Sequence, residues 1–142
     1  MRYTKEQMRR YVRLCDRLAE HHLTSDDVDD LLRCERALRR WSEQECGDSN
    51  DYCSWVIEWD EDTNTPYRCT YPHGSNKVHR VRIPDREKGA LKRAAKIAAK
   101  ANPPLRVYHQ SDPRGCQLYL LPDSISDEAA SSTYTNGIGV WV

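Results

Sequence analysis

The sequence predicts an α+β domain in which an N-terminal helical hairpin packs with an antiparallel β-sheet of about five strands and one further helix. Three observations support this fold class. Apolar residues recur at helical spacing up to residue 46, they alternate with polar residues in the segments that follow, and a basic, alanine-rich segment interrupts the strands. The implied order is α-α-β-β-β-α-β-β, which is typical of helices that cover one face of an antiparallel sheet.

The helical hairpin is predicted between residues 4 and 46. The inner face of its first helix is expected to contain the apolar residues that recur at spacings of three and four, namely Met8, Tyr11, Val12, Cys15, Leu18 and Ala19. Thr24 followed by Asp27 resembles a capping box at the start of the second helix. Gly47 is suited to end that helix in a left-handed conformation.

Three strands and a third helix are expected after residue 52. Alternation predicts a hairpin over 53–59 and 67–71, and a third strand over 78–83 with Arg80 and Arg82 facing outward. Pro84 and Asp85 are suited to begin a helix. Its buried stripe consists mainly of alanine, and such small side chains let a helix lie close to a sheet.

A second hairpin and a tail complete the predicted organisation. Strands over 105–109 and 116–121 flank a type I turn at 111–115. Residues 1–121 are therefore interpreted as a single domain, with the helical hairpin at 4–46 and the sheet plus helix at 52–121. Residues 122–142 are expected to be a loosely ordered tail from which Ile138, Val140 and Trp141 could dock back.

Composition favours a cytoplasmic protein. No apolar run resembles a signal peptide or approaches the roughly 18 residues that span a bilayer, so no membrane association is predicted. The six cysteines lack the regular spacing of a disulfide scaffold, so reduced thiols are expected. A length of 142 residues suits one domain.

The neutral net charge conceals an uneven distribution. Residues 67–114 carry 12 basic and three acidic groups, whereas residues 47–66 carry six acidic groups and no basic ones. Such a basic segment attracts phosphate, nucleic acid or an acidic protein surface. Mutual neutralisation of the two segments within the fold is the alternative. The predicted anion- or partner-binding residues are Arg80, Arg82, Arg86, Lys92, Arg93, Tyr108, His109 and Arg114.

Two chemical alternatives are weaker. Cys46, Cys53, Cys69 and either His73 or His79 could supply zinc ligands, but the sequence lacks the close cysteine pair that structural zinc sites usually present. No metal and no cofactor are therefore predicted.

The second alternative is a catalytic group around the 111–115 turn. His109 and Asp112 flank this turn, with Arg114 near, which could place a general base beside its orienting carboxylate. No nucleophile accompanies them, and Asp112 is explained by the turn itself. An enzyme is therefore not predicted.

Several short motifs resemble a group of small uncharacterised proteins of bacteriophages and prophages. The matching residues are Trp41 with Glu45-Cys46-Gly47, Pro84-Asp85-Arg86-Glu87 with Gly89-Ala90-Leu91, and Asp112-Pro113-Arg114-Gly115-Cys116 with Leu118-Tyr119. The resemblance covers most of residues 24–121. It implies a protein made during infection, which often means modulation of host machinery or antiviral defence.

The leading hypothesis is a non-enzymatic phage protein that inhibits bacterial antiviral defence. It would bind a host protein of a defence system, in an anti-CRISPR-like manner, or sequester an anionic signalling nucleotide, through the basic strand-helix-turn surface. The alternative is a small nucleic-acid-binding protein. A homodimer is also compatible with the sequence.

Overall fold

The computed structural model describes residues 2–46, 54–60, 65–71, 79–83, 85–109, 118–125 and 137–142. These residues form helices α1 (Lys5–Ala19), α2 (Ser25–Cys46) and α3 (Asp85–Ala99). They also form strands β1 (Ser54–Asp60), β2 (Thr65–Tyr71), β3 (His79–Arg82), β4 (Leu105–His109), β5 (Leu118–Pro122) and β6 (Ile138–Gly139). The predicted α+β class is confirmed. None of the helices in this part of the chain is long and apolar enough to cross a membrane.

The strands lie in two antiparallel sheets instead of the single sheet of about five strands that the sequence predicts. One sheet has the order β1-β2-β3 and the other β4-β5-β6. The α3 helix leads the chain from the last strand of the first sheet to the first strand of the second. Alternation along a segment predicts a strand but does not reveal which strand it pairs with, and the two residues of β6 are too few to show alternation.

The α1 helix is capped as a capping box, but its buried face differs from the predicted one. Thr4 Oγ1 accepts a hydrogen bond from Gln7 N at 3.1 Å, and Thr4 N donates to Gln7 Oε1 at 2.9 Å. Leu14 and Leu18 are buried, whereas Met8 and Val12 are 47% and 49% exposed. Ala19 is exposed as well, so the prediction that Met8, Val12 and Ala19 belong to the inner face is wrong.

Contacts with α2 and the end of the chain explain this rotation of α1. The Tyr11 hydroxyl donates to Asp29 Oδ1 of α2 at 2.7 Å. The Arg10 guanidinium lies over the Trp141 ring, 4.1 Å from its centroid. These polar attachments turn Leu14 inward, and they carry the opposite side of the helix into solvent.

The α2 helix begins at the predicted capping box. Asp27 N donates to Thr24 Oγ1 at 3.2 Å, and Thr24 N donates to Asp27 Oδ2 at 2.9 Å. Val28, Leu31 and Leu38 are fully buried, as expected for its inner face. The predicted stop at Gly47 lies outside the described residues.

The core lies between the three helices and the β4-β5-β6 sheet. The α3 helix contributes a stripe of small side chains, with Ala94 and Ala98 fully buried, so the predicted buried stripe is confirmed. The β5 strand is central in its sheet and buries four consecutive residues, 118–121. Consecutive burial is typical of a strand that is covered on both faces.

Residues 137–142, which the sequence assigns to a loosely ordered tail, form part of this core. Ile138 is 7% exposed and Val140 is fully buried. A Cβ atom added at Gly137 would lie 2.8 Å from Leu121 Cδ2, so the backbone approaches β5 more closely than a side chain allows. The predicted domain boundary at residue 121 therefore excludes a segment that packs against β5.

Candidate anion-binding surface

The outer face of α3 presents a group of basic side chains. Lys92, Arg93 and Lys96 are exposed and Lys88 is half-buried. Residues 88, 92 and 96 follow one another at four-residue spacing, which places them about 6 Å apart along the helix axis. The alanine stripe on the other side holds the helix against the core, so these side chains extend from a fixed support.

Several other cations in or next to the helices are already paired with carboxylates. Lys100 Nζ lies 2.5 Å from Asp27 Oδ1 and joins the end of α3 to the start of α2. Arg33 Nη1 lies 2.6 Å from Asp30 Oδ1. Arg39 binds the buried carboxylate of Glu35 through Nε at 2.8 Å and through Nη2 at 2.5 and 2.6 Å.

The pairing of Asp27 and Lys100 affects the carboxyl group directly. Burial acts to raise the pKa of Asp27, but the hydrogen bonds from Lys100 and Thr24 outweigh it, so the pKa lies below its usual value. Asp27 is therefore ionised at neutral pH, and it neutralises Lys100. Lys100 is accordingly a structural cation and does not belong to the candidate surface.

Lys92, Arg93 and Lys96 differ from these paired cations. Within the described ranges, none of the three forms an ion pair with a carboxylate. Arg93 does influence the buried thiol of Cys34 on α2. Burial raises the pKa of Cys34, and the positive charge of Arg93 acts in the opposite direction. The α3 face therefore combines exposed positive charge with little local neutralisation.

A second, smaller group of cations lies on β3. The Arg80 guanidinium lies over the Tyr67 ring of β2, 4.4 Å from its centroid. Arg82 Nη2 lies 3.9 Å from Asp85 Oδ1, and both side chains are well exposed. Such exposed pairs contribute little free energy, so Arg82 stays available to an external anion.

The start of α3, where the predicted site residue Arg86 lies, is a poor anion site. Asp85 and Glu87 occupy the first turn of the helix. Their negative charges already complement the positive end of the helix dipole and oppose a bound anion. The favourable part of α3 is therefore its middle, where the basic residues lie.

His109 does not belong to a surface site. It is 3% exposed, and burial lowers its pKa to about 3, so the ring is neutral at physiological pH. His109 lies on the same face of β4 as Leu105 and Val107, because the three are two residues apart. This spacing was the available sequence signal for an inward position. The prediction that His109 binds an external anion is wrong for this reason, and the same burial disfavours it as a catalytic base. Tyr108 is half-buried.

Two predicted residues remain predictions, and the alternative zinc and catalytic sites lie partly outside the described residues. The side chain of Arg86 and the whole of Arg114 lie outside the described residues, as does Asp112 of the alternative catalytic group. Among the residues that the structure describes, no cluster of three or more His, Cys, Asp or Glu could hold a metal ion. Cys53 and His73 fall outside those residues, so the alternative zinc site is not tested. Cys69 is buried.

The sequence interpretation omitted Lys88 and Lys96 from the site, although both lie in the same row as Lys92. Their four-residue spacing was the signal that could have included them. The candidate site is therefore best described as the α3 surface, which we define by Lys88, Lys92, Arg93 and Lys96.

The chain matches no known protein family, no curated protein and no solved structure.

Proposed function

We propose that this chain is a phage-encoded, non-enzymatic binding protein that inhibits a bacterial antiviral defence factor through the α3 surface. The phage context rests on the short motifs that resemble phage and prophage proteins. The binding mode rests on one observation: Lys92, Arg93 and Lys96 are exposed on one helix and form no ion pair within the described residues. Complementary charge steers association and selects the partner.

The shape of the α3 surface favours an acidic protein over a small anion. Small ligands are usually bound in concave sites that bury most of their surface. The four cations instead project from the convex side of a helix, where they can contact an extended array of carboxylates. A defence protein with an acidic face therefore suits this surface better than a signalling nucleotide does.

An infection assay tests this function directly. The protein is expressed in bacteria that carry a defence system, and the plaques formed by a sensitive phage are counted. We expect the wild type to restore plaque formation, and the triple variant Lys92→Ala, Arg93→Ala, Lys96→Ala to lose this effect. Each exposed cation lost from an interface weakens binding by roughly 0.2–1 kcal/mol, so the loss of three should reduce affinity by about threefold to about 100-fold.

A matched control removes exposed cations from another helix. Arg13 and Arg17 are exposed on α1, so their replacement by alanine changes the net charge in the same direction without touching α3. This double variant is expected to inhibit defence as the wild type does. Loss of inhibition in the control but not in the triple variant would refute the assignment to α3. Circular dichroism confirms that each variant is folded.

A nucleic-acid-binding function is the second candidate, because cations at successive helical turns also suit phosphates. Neutralisation of three or four phosphates would give a slope of about −3 in a plot of log affinity against log salt concentration. The sequence pI of about 6.9 favours the protein partner, since nucleic-acid-binding domains are usually strongly basic. A gel-shift titration with duplex and single-stranded DNA distinguishes the two: a flat salt response excludes nucleic acid.

A further inference from the structure

We infer that α1 binds a second copy of this chain, with the two α1 helices antiparallel and their outer faces in contact. Self-association through α1 is independent of the function proposed for α3. It follows from an exposed apolar seam and from the charges beside it. The charges of one copy are complementary to those of a second copy in the antiparallel orientation.

The seam consists of four apolar or small side chains along the outer side of α1. They recur at spacings of four, three and four residues, and they are Met8, Val12, Cys15 and Ala19. This is the spacing of the a and d positions of a coiled coil. Met8 and Val12 are the exposed large hydrophobic residues of the described chain, Ala19 is also exposed, and Cys15 is partly exposed. A facing helix would remove this apolar surface from water.

The position of the seam is fixed by the attachments on the other side of α1. Leu14 and Leu18 are buried in the core, and Tyr11 is hydrogen-bonded to Asp29 at 2.7 Å. The helix cannot rotate to bury Met8 and Val12 without exposing both leucines. The described part of the chain therefore leaves the seam uncovered, and we assign its cover to a second copy.

Two opposite charges flank the seam on one side. Arg9 follows Met8, and Asp16 follows Cys15, so both occupy the position directly after a d residue. Antiparallel pairing brings the first half of one helix against the second half of the other. Arg9 of each copy would then lie beside Asp16 of the other copy, which gives two symmetry-related ion pairs.

The present contacts of Arg9 leave it available for this pairing. Arg9 Nη1 lies 3.5 Å from Glu6 Oε2, and both side chains are more than half exposed. Such a pair is weak and exchanges readily. Arg13 lies further round the helix and points away from the seam.

Parallel pairing lacks the same complementarity. In a parallel pair, the residues that flank the seam on one side of a helix meet those on the opposite side of the other helix. The opposite side of α1 carries Tyr11 and Leu18, which are engaged with their own domain. Arg9 and Asp16 would therefore find no charged counterpart. The charge pattern selects the antiparallel arrangement.

The size of the seam predicts a dissociating dimer. A helix of 15 residues is about 22 Å long, and three of its turns carry the seam. The interface is therefore smaller than the roughly 1,200 Å² that marks stable complexes. The dimer is expected to form in the micromolar to millimolar range and to weaken as salt is added.

Sedimentation velocity of the full chain, from about 1 μM to about 1 mM, tests this arrangement. Arg9→Glu and Asp16→Arg each place like charges opposite one another in both symmetry-related pairs. We expect each single variant to weaken the dimer by roughly tenfold or more. The double variant with both changes restores opposite charges with the signs exchanged, and it is expected to dimerise nearly as well as the wild type.

Arg13→Glu is the matched control, since it reverses an exposed charge of α1 away from the seam. It is expected to leave the dimer unchanged. A wild-type chain that stays monomeric throughout the concentration range would overturn the inference and leave the seam to a different protein. A double variant that dimerises no better than the single variants would also overturn it, because the copies would then meet through another face. Failure of the infection assay would not affect either outcome.

Discussion

The α1 and α3 helices have the same length, 15 residues, and pack against one core. They differ in the residue types on their inner faces and on their outer faces. On the inner side, α1 inserts Leu14 and Leu18, whereas α3 presents alanines such as Ala94 and Ala98. On the outer side, α1 mixes apolar residues with both signs of charge, whereas α3 presents cations. The comparison shows how one core can support two surfaces of different chemical character.

The outer faces differ in which partner their charges select. A face with positive charge alone repels a copy of itself, so the α3 surface favours a foreign, acidic partner. A face on which positive charge precedes negative charge is complementary to itself when reversed, so α1 favours a second copy. The inner faces then determine how firmly each surface is held.

The largest effect is expected from a cavity beneath α1. Leu18 is fully buried, so Leu18→Ala should lower the free energy of unfolding by roughly 2–5 kcal/mol. Val12→Ala, on the exposed face of the same helix, should change it by less than about 0.5 kcal/mol. Urea denaturation measures both variants. Equal losses would mean that Val12 is buried in solution, which would contradict the exposed seam.

Beneath α3, an enlarged side chain should be harmful instead. Ala98 is fully buried in the close contact between α3 and the core, so Ala98→Leu should cost roughly 1–3 kcal/mol through overpacking. Ala99 is exposed on the next position, so Ala99→Leu should be tolerated. Thermal denaturation compares the two. A tolerated Ala98→Leu would show that α3 stands further from the core than the alanine stripe indicates.

Acid should weaken the core that supports both helices. Burial lowers the pKa of His109 to about 3 in the folded state, whereas in the unfolded chain the pKa of this residue is near its ordinary value of 6.5. Stability from this group is present above pH 6.5 and is lost as the pH falls toward 3. Between about pH 7 and pH 5.5 the loss should be roughly 1 kcal/mol.

Urea midpoints of the wild type and of His109→Gln at both pH values test this loss. The variant is expected to be less stable at either pH, because it changes a buried side chain. Its stability should nevertheless depend less on pH in this range than that of the wild type. An identical pH dependence in the two proteins would show that His109 is accessible to protons in the folded state.

The smallest effect should distinguish Lys100, which is paired with Asp27, from Lys96 of the α3 surface. Lys100→Ala removes the ion pair with Asp27 and should cost about 0.5–1 kcal/mol of stability, because Lys100 is partly exposed. Lys96→Ala should leave stability within about 0.5 kcal/mol but reduce partner binding. The reverse pattern would place Lys96 among the structural cations and remove it from the α3 surface.

Local patterns predicted the start of each helix, but they did not predict the orientation of α1. The Thr24 and Asp27 capping box was evident because capping depends on residues close in sequence. The inner face of α1 was mistaken because Met8 and Val12 have the same helical spacing as true core residues. The choice was made by Asp29 and Trp141, which contact α1 from distant positions.

The arrangement of the strands depended on similarly distant contacts. The division into two sheets reflects pairing between segments, such as β5 with β6, that no local pattern reveals. Burial of His109 follows from β4 packing in the second sheet. The basic character of α3 was predictable because it is a property of composition. Which of its cations were already paired was not, since Asp27 lies 73 residues away from Lys100 along the chain.

The stacking of Arg10 on Trp141 provides the molecule with a built-in optical reporter. Indole fluorescence responds to a charge held above the ring, so the emission of Trp141 should change whenever α1 separates from the core and Arg10 moves away from the ring. A form of the protein in which Trp41, Trp55 and Trp59 are replaced by phenylalanine would isolate that emission. Detachment of the first helix could then be followed in real time without an attached dye.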